Sequence, residues 1–594
     1  MCGIVGYVGN NKSKIEVLIE GLKKLEYRGY DSAGIAYVKE NDINIIKEEG
    51  KLVNLEEKVN KDDLSNLGIG HTRWATHGKA DTINAHPHKV GKFTIVHNGI
   101  IENYGELKEE LEKKGYVFKS STDTEVACAV LDDLYKSDKD ILSVINKASK
   151  ILIGAYAFGI ICEDDKENLY AARKNSPLII GVGNNENYIA SDVPAILEYA
   201  NKYILLDNGD YAKINKDEIK LYNDGKEIKY EIKTFEYDKS SASKMGYSHF
   251  MLKEIHEEPE VFKNTVDSYL NTKDKIDITK YKGIKVLACG SATHASLVGK
   301  YLIQNYADIK VDVLTASEFR YEKLFLSKDD LVIVVSQSGE TADTLEALKM
   351  ANKNGNDTLG IINVKGSSIA REAKKVIYTE AKTEIAVATT KAYLSQVCVF
   401  MMMALDAGYK KGIISKAEKE SILKEINELP VYMEELINRD YKDIAKILYD
   451  KEDIFFVGRQ VDYAICMEGS LKLKEISYIH SEAYAAGELK HGTISLIEDN
   501  TPVIAVVTDD SVALKTISNI KEVKSRGANV IYLTNRENDV NDFYDVRIKV
   551  PKVNYLLEAM LTVIPLQLIA FETAKLKGCS IDKPKNLAKS VTVE

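Results

Sequence analysis

The sequence predicts an α/β and α+β multidomain protein in which a β-rich layered domain precedes two parallel α/β domains. The chain has 594 residues, too many for one hydrophobic core, and this length suggests roughly two to four domains. Before residue 238 there are many short β-branched runs broken by turns, such as GKFTIVHNG and ILIGAYAFGIIC, which indicate a layered β-rich domain. After residue 248, apolar strands alternate with long amphipathic helices, the pattern of parallel α/β units.

The segment DKSSASKMGYS divides these parts, because it is small, polar and without periodicity, as linkers are. The second part repeats itself weakly, since residues 281–303 resemble residues 451–473. One such repeat indicates a domain duplication rather than a solenoid. We therefore expect a first domain, a linker and two further domains at 1–238, 239–248, 249–429 and 430–594.

Composition narrows the functional classes. The net charge of −10 is spread along the chain, so no basic face favours nucleic acid and no polybasic run favours a membrane partner. No apolar run in the sequence approaches the ~18 residues that span a bilayer, and the first residues lack a signal-peptide pattern. We expect a cytoplasmic protein.

Metal and disulfide chemistry are not expected. The seven cysteines lie far apart without a C-x-x-C pair and are interpreted as reduced thiols. The histidines lack metal-ligand spacing; a turn beside proline explains the nearest pair, His86 and His88, more simply than a metal does. We predict no metal and no other cofactor.

Cys2 is the first candidate catalytic residue. If the initiator methionine is removed, Cys2 carries a thiol and a free α-amine on one carbon. A thiol of pKa ~8.5 needs a base at neutral pH, and an α-amine of pKa ~7.7 to 8.0 is suited to accept the proton. The residue would combine nucleophile and base, as N-terminal threonine hydrolases do.

Four later residues fit a pocket for an amino acid whose side-chain amide is hydrolysed. Arg73 suits a carboxylate, Asn98 and Gly99 suit a developing oxyanion, and Asp123 suits an ammonium group. Each has a structural alternative: Arg73 as an ion pair, Asn-Gly as a hairpin turn, and Asp123 as a helix cap. A cysteine at position 2 can also arise by chance.

A second candidate site follows the strand LVIVV, which runs into Ser336-Gln337-Ser338-Gly339-Glu340-Thr341 and then a helix. Hydroxyl groups and free N–H groups at a helix start form an anion site. The corresponding stretch of the second copy, Thr508-Asp509-Asp510, would repel phosphate. Simple helix capping is the alternative, but the loop CGSATHA at the same predicted sheet edge favours phosphate.

A third candidate is the trio Glu468, Lys472 and Glu475, whose spacing places them on one helix face. A solvated ion-pair stripe is the usual meaning of this spacing. If the face is buried, Lys472 keeps a carboxylate ionised and Glu475 is able to move a proton between neighbouring carbons.

Two sets of motifs resemble known families. MCGIVGY, LEYRGYDSAGIA, HTRWATHG, NAHPH, HNGIIENY and TDTEV resemble the class II glutamine amidotransferase domain, a four-layer αββα fold of the N-terminal nucleophile group. VVSQSGETADT, EGSLKLKEISYIHSEAYAAGELKHG and PKNLAKSVTVE resemble the isomerase half of the glucosamine 6-phosphate synthase family, built from two doubly wound sugar isomerase (SIS) domains. The resemblance implies conversion of glutamine and fructose 6-phosphate to glutamate and glucosamine 6-phosphate by a homodimer.

The resemblance also implies roles for residues at matched positions. In the glutaminase half, Cys2 attacks the amide, and Trp74 belongs to the glutamine-binding site and gates an ammonia channel. The remaining residues stabilise the oxyanion or hold glutamine: Asn98, Gly99, Arg73, Thr76, His77 and Asp123. In the isomerase half, Glu475 is the base, Lys589 forms an imine and His491 opens the sugar ring. The expected sugar-phosphate residues are Ser291, Ser336, Gln337, Ser338, Thr341, Val387 and Thr389.

The sequence departs from the family pattern at two positions. Ala292 stands where the family has a serine, and the lost hydrogen bond is expected to weaken sugar binding by about 0.5 to 1.5 kcal/mol. Thr493 stands where the family often has proline, a change without a functional explanation. Two other functions stay open at this point: a different class II glutamine amidotransferase, and a sugar-phosphate-binding regulator.

Overall fold

A computed structural model describes residues 2–10, 14–26, 29, 31–40, 42–60, 62–74, 78–234, 243–323, 325–537, 539–540 and 542–592. The chain forms two compact units, residues 1–237 with 590–594 and residues 238–589. The predicted linker lies partly outside the described residues.

The first unit contains two antiparallel sheets within its described residues. The eight-stranded sheet has the spatial order Lys233–Thr234, Lys202–Leu205, Ile179–Val182, Glu186–Ala190, Gly3–Gly9, Leu67–Arg73, Ser32–Lys39 and Asp42–Glu49. The seven-stranded sheet has the order Lys226–Ile228, Ile219–Asn223, Asp210–Ile214, Asp165–Lys174, Gly154–Cys162, Phe93–Ile101 and His88–Val90.

Three hydrophobic clusters show how these sheets are layered. One lies between the sheets and joins Ile4 and Ile69 of the first to Val96 and Ile161 of the second. The other two fill the space between each sheet and its helices. The helices of this unit are Lys14–Leu25, Leu52–Lys58, Tyr104–Lys113, Asp123–Ser137 and Ile141–Ile151, with a 3₁₀ turn at Val193–Ala195. The resulting order of layers is αββα, as predicted.

The second unit contains two parallel five-stranded sheets of identical topology. The first has the order Lys310–Thr315, Gly283–Ala288, Asp330–Ser336, Asp357–Ile362 and Lys375–Tyr378. The second has the order His480–Ala485, Asp453–Gly458, Pro502–Val507, Asn529–Thr534 and Val546–Lys549. In chain order each sheet is 2-1-3-4-5, a doubly wound arrangement whose ligand crevice lies between strands 1 and 3.

The helices of the second unit cover both faces of these sheets. They are Phe250–His256, Glu258–Asn271, Ser291–Ala307, Ala316–Phe319, Ala342–Asn354, Ser368–Glu372, Lys391–Lys410, Lys416–Ile437, Lys442–Leu448, Val461–Ser477, Ala513–Lys524 and Tyr555–Leu576. Short 3₁₀ turns occupy Ile278–Lys280, Glu488–His491 and Thr493–Leu496. The two α/β domains predicted by strand and helix alternation are confirmed as a fold class.

Two helices of this unit contradict the expectation that no apolar run approaches the length that spans a bilayer. Lys391–Lys410 and Tyr555–Leu576 are long and apolar enough to cross a bilayer by length and composition. Their most apolar windows are 89% and 94% buried inside the protein, which is the position of core helices.

The predicted domain boundaries stay predictions. The helix Lys416–Ile437 runs through the proposed division at Leu429 and contains Pro430. Proline in a helix interior removes one backbone hydrogen bond, which explains why the sequence pattern suggested a break here.

Candidate active sites

Cys2 directly precedes the strand Gly3–Gly9, in the middle of the eight-stranded sheet. Its sulfur accepts a hydrogen bond from the Trp74 backbone N–H at 3.1 Å. Burial raises the pKa of the Cys2 thiol above its ordinary value, so the thiolate is scarce at neutral pH. The thiol therefore requires a base, which supports the role proposed for its α-amine.

Asn98 and Gly99 lie inside the strand Phe93–Ile101, so the hairpin-turn alternative for this pair is wrong. Asn98 Nδ2 donates a hydrogen bond to the Cys2 carbonyl oxygen at 2.9 Å. Gly99 has φ +136°, and a Cβ there would lie 2.0 Å from the Ala155 carbonyl oxygen. Only glycine fits this position, next to the Asn98 amide and the cysteine.

A buried histidine fixes the orientation of the Asn98 amide. His71 Nε2 lies 2.9 Å from the His97 carbonyl oxygen and 3.1 Å from Asn98 Oδ1. Both neighbours are acceptors, so Nε2 carries the hydrogen. Burial lowers the pKa of His71 to about 3, and the ring is neutral near pH 7. The Asn98 oxygen is thereby held by His71, leaving Nδ2 to face the cysteine.

A pocket lies beside Cys2. Its walls contain three of the residues predicted to bind glutamine, Arg73, Trp74 and Asp123, and the whole lining is Cys2, Arg73, Trp74, His86, His97, Gly99, Thr122, Asp123 and Thr124. Thr76 and His77, also predicted to bind glutamine, lie outside the described residues. The pocket thus places the nucleophile beside a cationic and an anionic side chain, which match the carboxylate and ammonium groups of an α-amino acid.

Arg73 and Asp123 are both buried in this pocket wall. Arg73 donates to the Lys79 carbonyl oxygen at 2.9 Å, which anchors the loop that follows. Asp123 accepts from the Ile101 N–H at 2.8 Å, and Thr122, not Asp123, is the helix N-cap. The helix-cap alternative for Asp123 is therefore wrong.

His86 and His88 each contact a hydroxyl group. His86 lies 2.8 Å from Thr124 Oγ1 and His88 lies 3.2 Å from Thr122 Oγ1. Burial lowers the pKa of both rings well below the ordinary value. In the described part of the chain, no group of three or more histidine, cysteine, aspartate or glutamate residues has the geometry to hold a metal ion.

The second candidate site lies at the crevice of the first parallel sheet, where the strand ending at Ser336 is adjacent to the strand ending at Ala288. Ser336 Oγ lies 3.0 Å from Thr341 Oγ1 and accepts from the Gly339 N–H at 3.0 Å. Thr341 is the N-cap of the next helix, but its side chain makes no capping hydrogen bond. These hydroxyl groups therefore line the loop instead of serving as caps.

The trio on the helix Val461–Ser477 is not a solvated stripe. Glu468 and Lys472 are fully buried. Lys472 Nζ lies 3.4 Å from Glu468 Oε1 and 2.5 Å from Glu475 Oε2. One buried ammonium group thus contacts both carboxylates, and we name these three residues the relay.

The two carboxylates of the relay differ in their electrostatics. Burial opposes ionisation of Glu468, but Lys472 and hydrogen bonds from His294 and Ser291 outweigh it, so the pKa of Glu468 is lowered. Burial raises the pKa of Glu475, and Lys472 offsets this only in part. These opposite pKa shifts suit Glu468 as a fixed anion and Glu475 as the group that exchanges a proton.

Ser291 and His294 come from the other α/β domain and hold Glu468. Ser291 Oγ donates to Glu468 Oε1 at 2.9 Å, and His294 Nδ1 lies 2.9 Å from Glu468 Oε2. Ser291 Oγ also lies 3.2 Å from Lys472 Nζ. Ser291 therefore contacts two residues of the relay, and its role in sugar-phosphate binding stays a prediction.

Lys589 is bound to a carboxylate that sequence reasoning missed. Its Nζ forms an ion pair with the buried Glu384, which also accepts from Thr389 Oγ1 at 2.5 Å and the Thr390 N–H at 2.9 Å. Burial opposes ionisation of Glu384, but Lys589 outweighs it and lowers its pKa. Val387, the other residue expected near the sugar, is buried in the same loop.

Comparison with known proteins places the whole chain in one family. A glutamine amidotransferase domain model matches residues 75–198, and a SIS domain model matches residues 277–406 and 447–576. An isomerizing glutamine–fructose-6-phosphate aminotransferase of Clostridium tetani is 48% identical, and one of Thermococcus kodakarensis is 45% identical, each over 100% of both chains. The chain belongs to the isomerizing glutamine–fructose-6-phosphate aminotransferase family.

Membership in this aminotransferase family makes the protein a transferase enzyme. Among solved structures, the C-terminal domain of a glucosamine-fructose-6-phosphate aminotransferase from Francisella tularensis is 36% identical, with a TM-score of 0.55. It covers 57% of this chain and 99% of its own length. The family and fold expected from the motifs are confirmed.

One residue expected in the aminotransferase active site is not brought to the relay. His491 is exposed at the end of the 3₁₀ turn Glu488–His491. Within the described residues, no side-chain hydrogen bond or ion pair joins it to Glu475 or Lys589. Ring opening by His491 stays a prediction.

Replacement of His71 tests the support of the oxyanion amide. His71→Phe keeps an aromatic ring but removes the donor to Asn98, so we expect glutaminase kcat to fall about tenfold with little change in KM, less than the 10²-fold or greater loss of a whole oxyanion donor. Because the pKa of His71 is about 3, its protonation should not limit the wild-type rate between pH 5 and 8. Steady-state kinetics of glutamate release measure both points.

The matched control for His71 is His88→Phe, which changes a buried histidine that contacts Thr122. An equal loss of kcat in both variants would show that His71 acts only through packing of the histidine cluster.

Proposed function

We propose that this chain converts D-fructose 6-phosphate and L-glutamine to D-glucosamine 6-phosphate and L-glutamate, the first step of hexosamine synthesis. The observation that carries the proposal is full-length similarity to isomerizing glutamine–fructose-6-phosphate aminotransferases. The sequence identity to the Clostridium tetani protein is 48% over 100% of both chains. The pocket at Cys2 and the buried relay supply one site for each half of that reaction.

In the glutaminase half, Cys2 is the nucleophile. Its sulfur attacks the side-chain amide carbon of glutamine, and its proton passes to the α-amine freed by removal of Met1. The developing oxyanion accepts hydrogen bonds from Asn98 Nδ2 and the Gly99 N–H. The protonated amine then donates to the leaving nitrogen, ammonia departs, and water hydrolyses the thioester to release glutamate.

Charged groups of the pocket orient glutamine for this attack. Arg73 binds the α-carboxylate and Asp123 binds the α-ammonium group, with Thr76 and His77 completing the binding site. The opposite charges distinguish an α-amino acid from a simple amide, since both must be matched in a buried pocket.

In the isomerase half, the open-chain sugar is held by its phosphate at Ser336, Gln337, Ser338 and Thr341. Lys589 forms an imine with the C2 carbonyl group and expels water, and Glu384 fixes the position of its Nζ. Ammonia then displaces Lys589 at C2. Lysine imines of this kind activate a carbonyl carbon toward nitrogen nucleophiles.

Glu475 completes the isomerisation. It removes a proton from C1 of the imine and returns a proton to C2, while the C1 hydroxyl group gives up its proton and the nitrogen gains one. The C2=N double bond is thereby replaced by a C1=O double bond, which gives the aldose with an amino group at C2. The Lys472 ammonium group, 2.5 Å from Glu475, favours the ionised carboxylate that is needed to accept the proton.

Trp74 is the proposed gate for ammonia. Ammonia in neutral water is mostly ammonium and is not nucleophilic, so transfer requires a dry path. Trp74→Ala keeps the backbone N–H that binds Cys2, and we expect glutaminase activity within about twofold of wild type while amino-sugar yield per glutamate falls at least fivefold. The two products are measured in one reaction.

The control for the gate is Trp74→Phe, which retains an aromatic side chain and should stay coupled. Glutamate and amino sugar formed in equal amounts by Trp74→Ala would remove the gating hypothesis.

The proposed reaction is tested by incubating the protein with glutamine and fructose 6-phosphate and analysing the products by mass spectrometry. Equimolar glutamate and hexosamine phosphate support it. Glutamate release without amino sugar would favour a different class II amidotransferase, and sugar-phosphate binding without turnover would favour a regulator.

We also retain the homodimer, the absence of nucleic acid and membrane partners, and the cytoplasmic location as predictions. Size-exclusion chromatography with light scattering measures the first directly, with a mass near twice 66.3 kDa as the expected result.

A further inference from the structure

The two SIS domains have the same local backbone after the first strand of each sheet. Gly290 has φ 57° and ψ −135°, and Gln460 has φ 54° and ψ −123°. Each directly precedes the helix that follows the first strand of its sheet, and these helices begin at Ser291 and Val461. The next helical residues, Ala292 and Asp462, are therefore equivalent positions in the duplicated fold.

Strand register makes the second loop equivalent as well. Leu287 lies three residues before Gly290 and is opposite Val334 in the neighbouring strand. Val457 lies three residues before Gln460 and is opposite Ala505. Gln337 lies three residues after Val334, and Thr508 lies three residues after Ala505, so Gln337 and Thr508 are equivalent positions. The backbone N–H groups of Thr508 and Asp509 thus occupy the positions of Gln337 and Ser338 in the proposed phosphate loop.

In the second domain a carboxylate of the chain itself binds these N–H groups. Asp462 Oδ2 accepts from the Thr508 N–H at 2.9 Å and from the Asp509 N–H at 3.2 Å. Asp462 Oδ1 accepts from the Thr508 hydroxyl at 2.5 Å. The side chain is 1% exposed, so it fills the loop from inside the fold.

Asp462 has the chemistry of an internal anion. Burial raises the pKa of Asp462 to about 6, against the lowering effect of the Thr508 and Asp509 hydrogen bonds, and the group is largely ionised near pH 7. Three donors around a buried carboxylate resemble the donor set that a phosphate oxygen finds at such a loop. The equivalent residue of the first domain, Ala292, carries no acceptor.

We propose that Asp462 is an internal anion that occupies the phosphate position of the second SIS domain and limits each chain to one sugar-phosphate site. This inference rests on the proposed phosphate role of the Ser336 loop. The proposal explains why a duplicated fold has one sugar-phosphate site. In the second domain, the Asp462 carboxylate binds the loop N–H groups that a phosphate ligand would otherwise bind.

The decisive variant is Asp462→Ser, which removes the carboxylate and leaves a small hydroxyl group. We expect its Tm to lie below that of wild type and to rise by about 3 °C or more beyond the wild-type response when inorganic phosphate is added. Asp462→Asn, which keeps an acceptor and the side-chain volume in the loop, should show no such extra response.

The matched control is Asp510→Ser. Asp510 lies in the same loop but pairs with Arg536 and Lys552. Among the described residues, its carboxylate accepts no backbone N–H of the loop, whereas Asp462 accepts two. An Asp462→Ser variant that responds to phosphate no more than Asp510→Ser, or that does not fold even with phosphate, would overturn the proposal.

A measurement on the unmodified protein provides a second test. Isothermal titration with fructose 6-phosphate should give one site per chain, and two sites per chain would contradict the role of Asp462. Failure to bind the sugar phosphate at all would instead count against the proposed function. The extra phosphate response of Asp462→Ser does not depend on turnover, so the two failures are distinguishable.

Discussion

Cys2→Ala is expected to abolish glutamate release, with a residual rate below about 10⁻³ of wild type. Among the described residues that line the pocket, no other side chain replaces the thiolate as nucleophile. Isomerisation of fructose 6-phosphate to an aldose phosphate should persist, since the relay belongs to the other compact unit. An enzyme-coupled glutamate assay and a separate isomerase assay measure the two activities.

Cys128→Ala is the control for this result. Cys128 is a buried cysteine of the same unit, and it donates to the Phe93 carbonyl oxygen outside the pocket. It should keep most of the wild-type activity. Retention of glutaminase activity by Cys2→Ala would exclude the nucleophile assigned to this half of the reaction.

Glu475→Gln is expected to lower amino-sugar formation and ketose–aldose isomerisation by about 10²- to 10⁴-fold, the usual contribution of a general base. Glutaminase activity should remain, because the substitution lies in the second unit. The exposed Glu452→Gln removes the same charge type from the surface of that unit and should leave both activities unchanged.

The pH dependence of isomerisation carries a second signature of Glu475. Its pKa is raised by burial, and a base loses activity as pH falls through its pKa. The acid limb of the wild-type profile should therefore lie above the pH of an ordinary glutamate, about 4.3, and should disappear from the residual activity of Glu475→Gln. A limb at or below that value, or one unchanged in the variant, would assign the proton transfer to another group.

Sequence periodicity predicted part of the relay and no more. The spacing of Glu468, Lys472 and Glu475 placed them on one helix face, but periodicity alone does not show whether that face is buried. Burial depends on Ser291 and His294, 177 and 174 residues before Glu468 in the chain. Contacts of such separation arise from the tertiary fold, and a single sequence contains no local signal for them.

Other residues were missed for the same reason. Glu384 pairs with Lys589 across 205 residues, and His71 reaches Asn98 through the packing of two sheets. The Asn-Gly pair shows the opposite failure: a strong local turn signal was overridden by the sheet, where Gly99 is required for its close approach to Ala155. By contrast, strand and helix alternation predicted the duplicated α/β class correctly because that signal repeats along the chain.

The central claim is that nitrogen released at the Cys2 pocket becomes the amino group of the sugar. The most direct measurement is mass spectrometry of the sugar product formed from fructose 6-phosphate and amide-labelled glutamine in the presence of unlabelled ammonium. The account predicts hexosamine phosphate with undiluted label. Diluted label would contradict channelled transfer, and a product without label would contradict the claim itself.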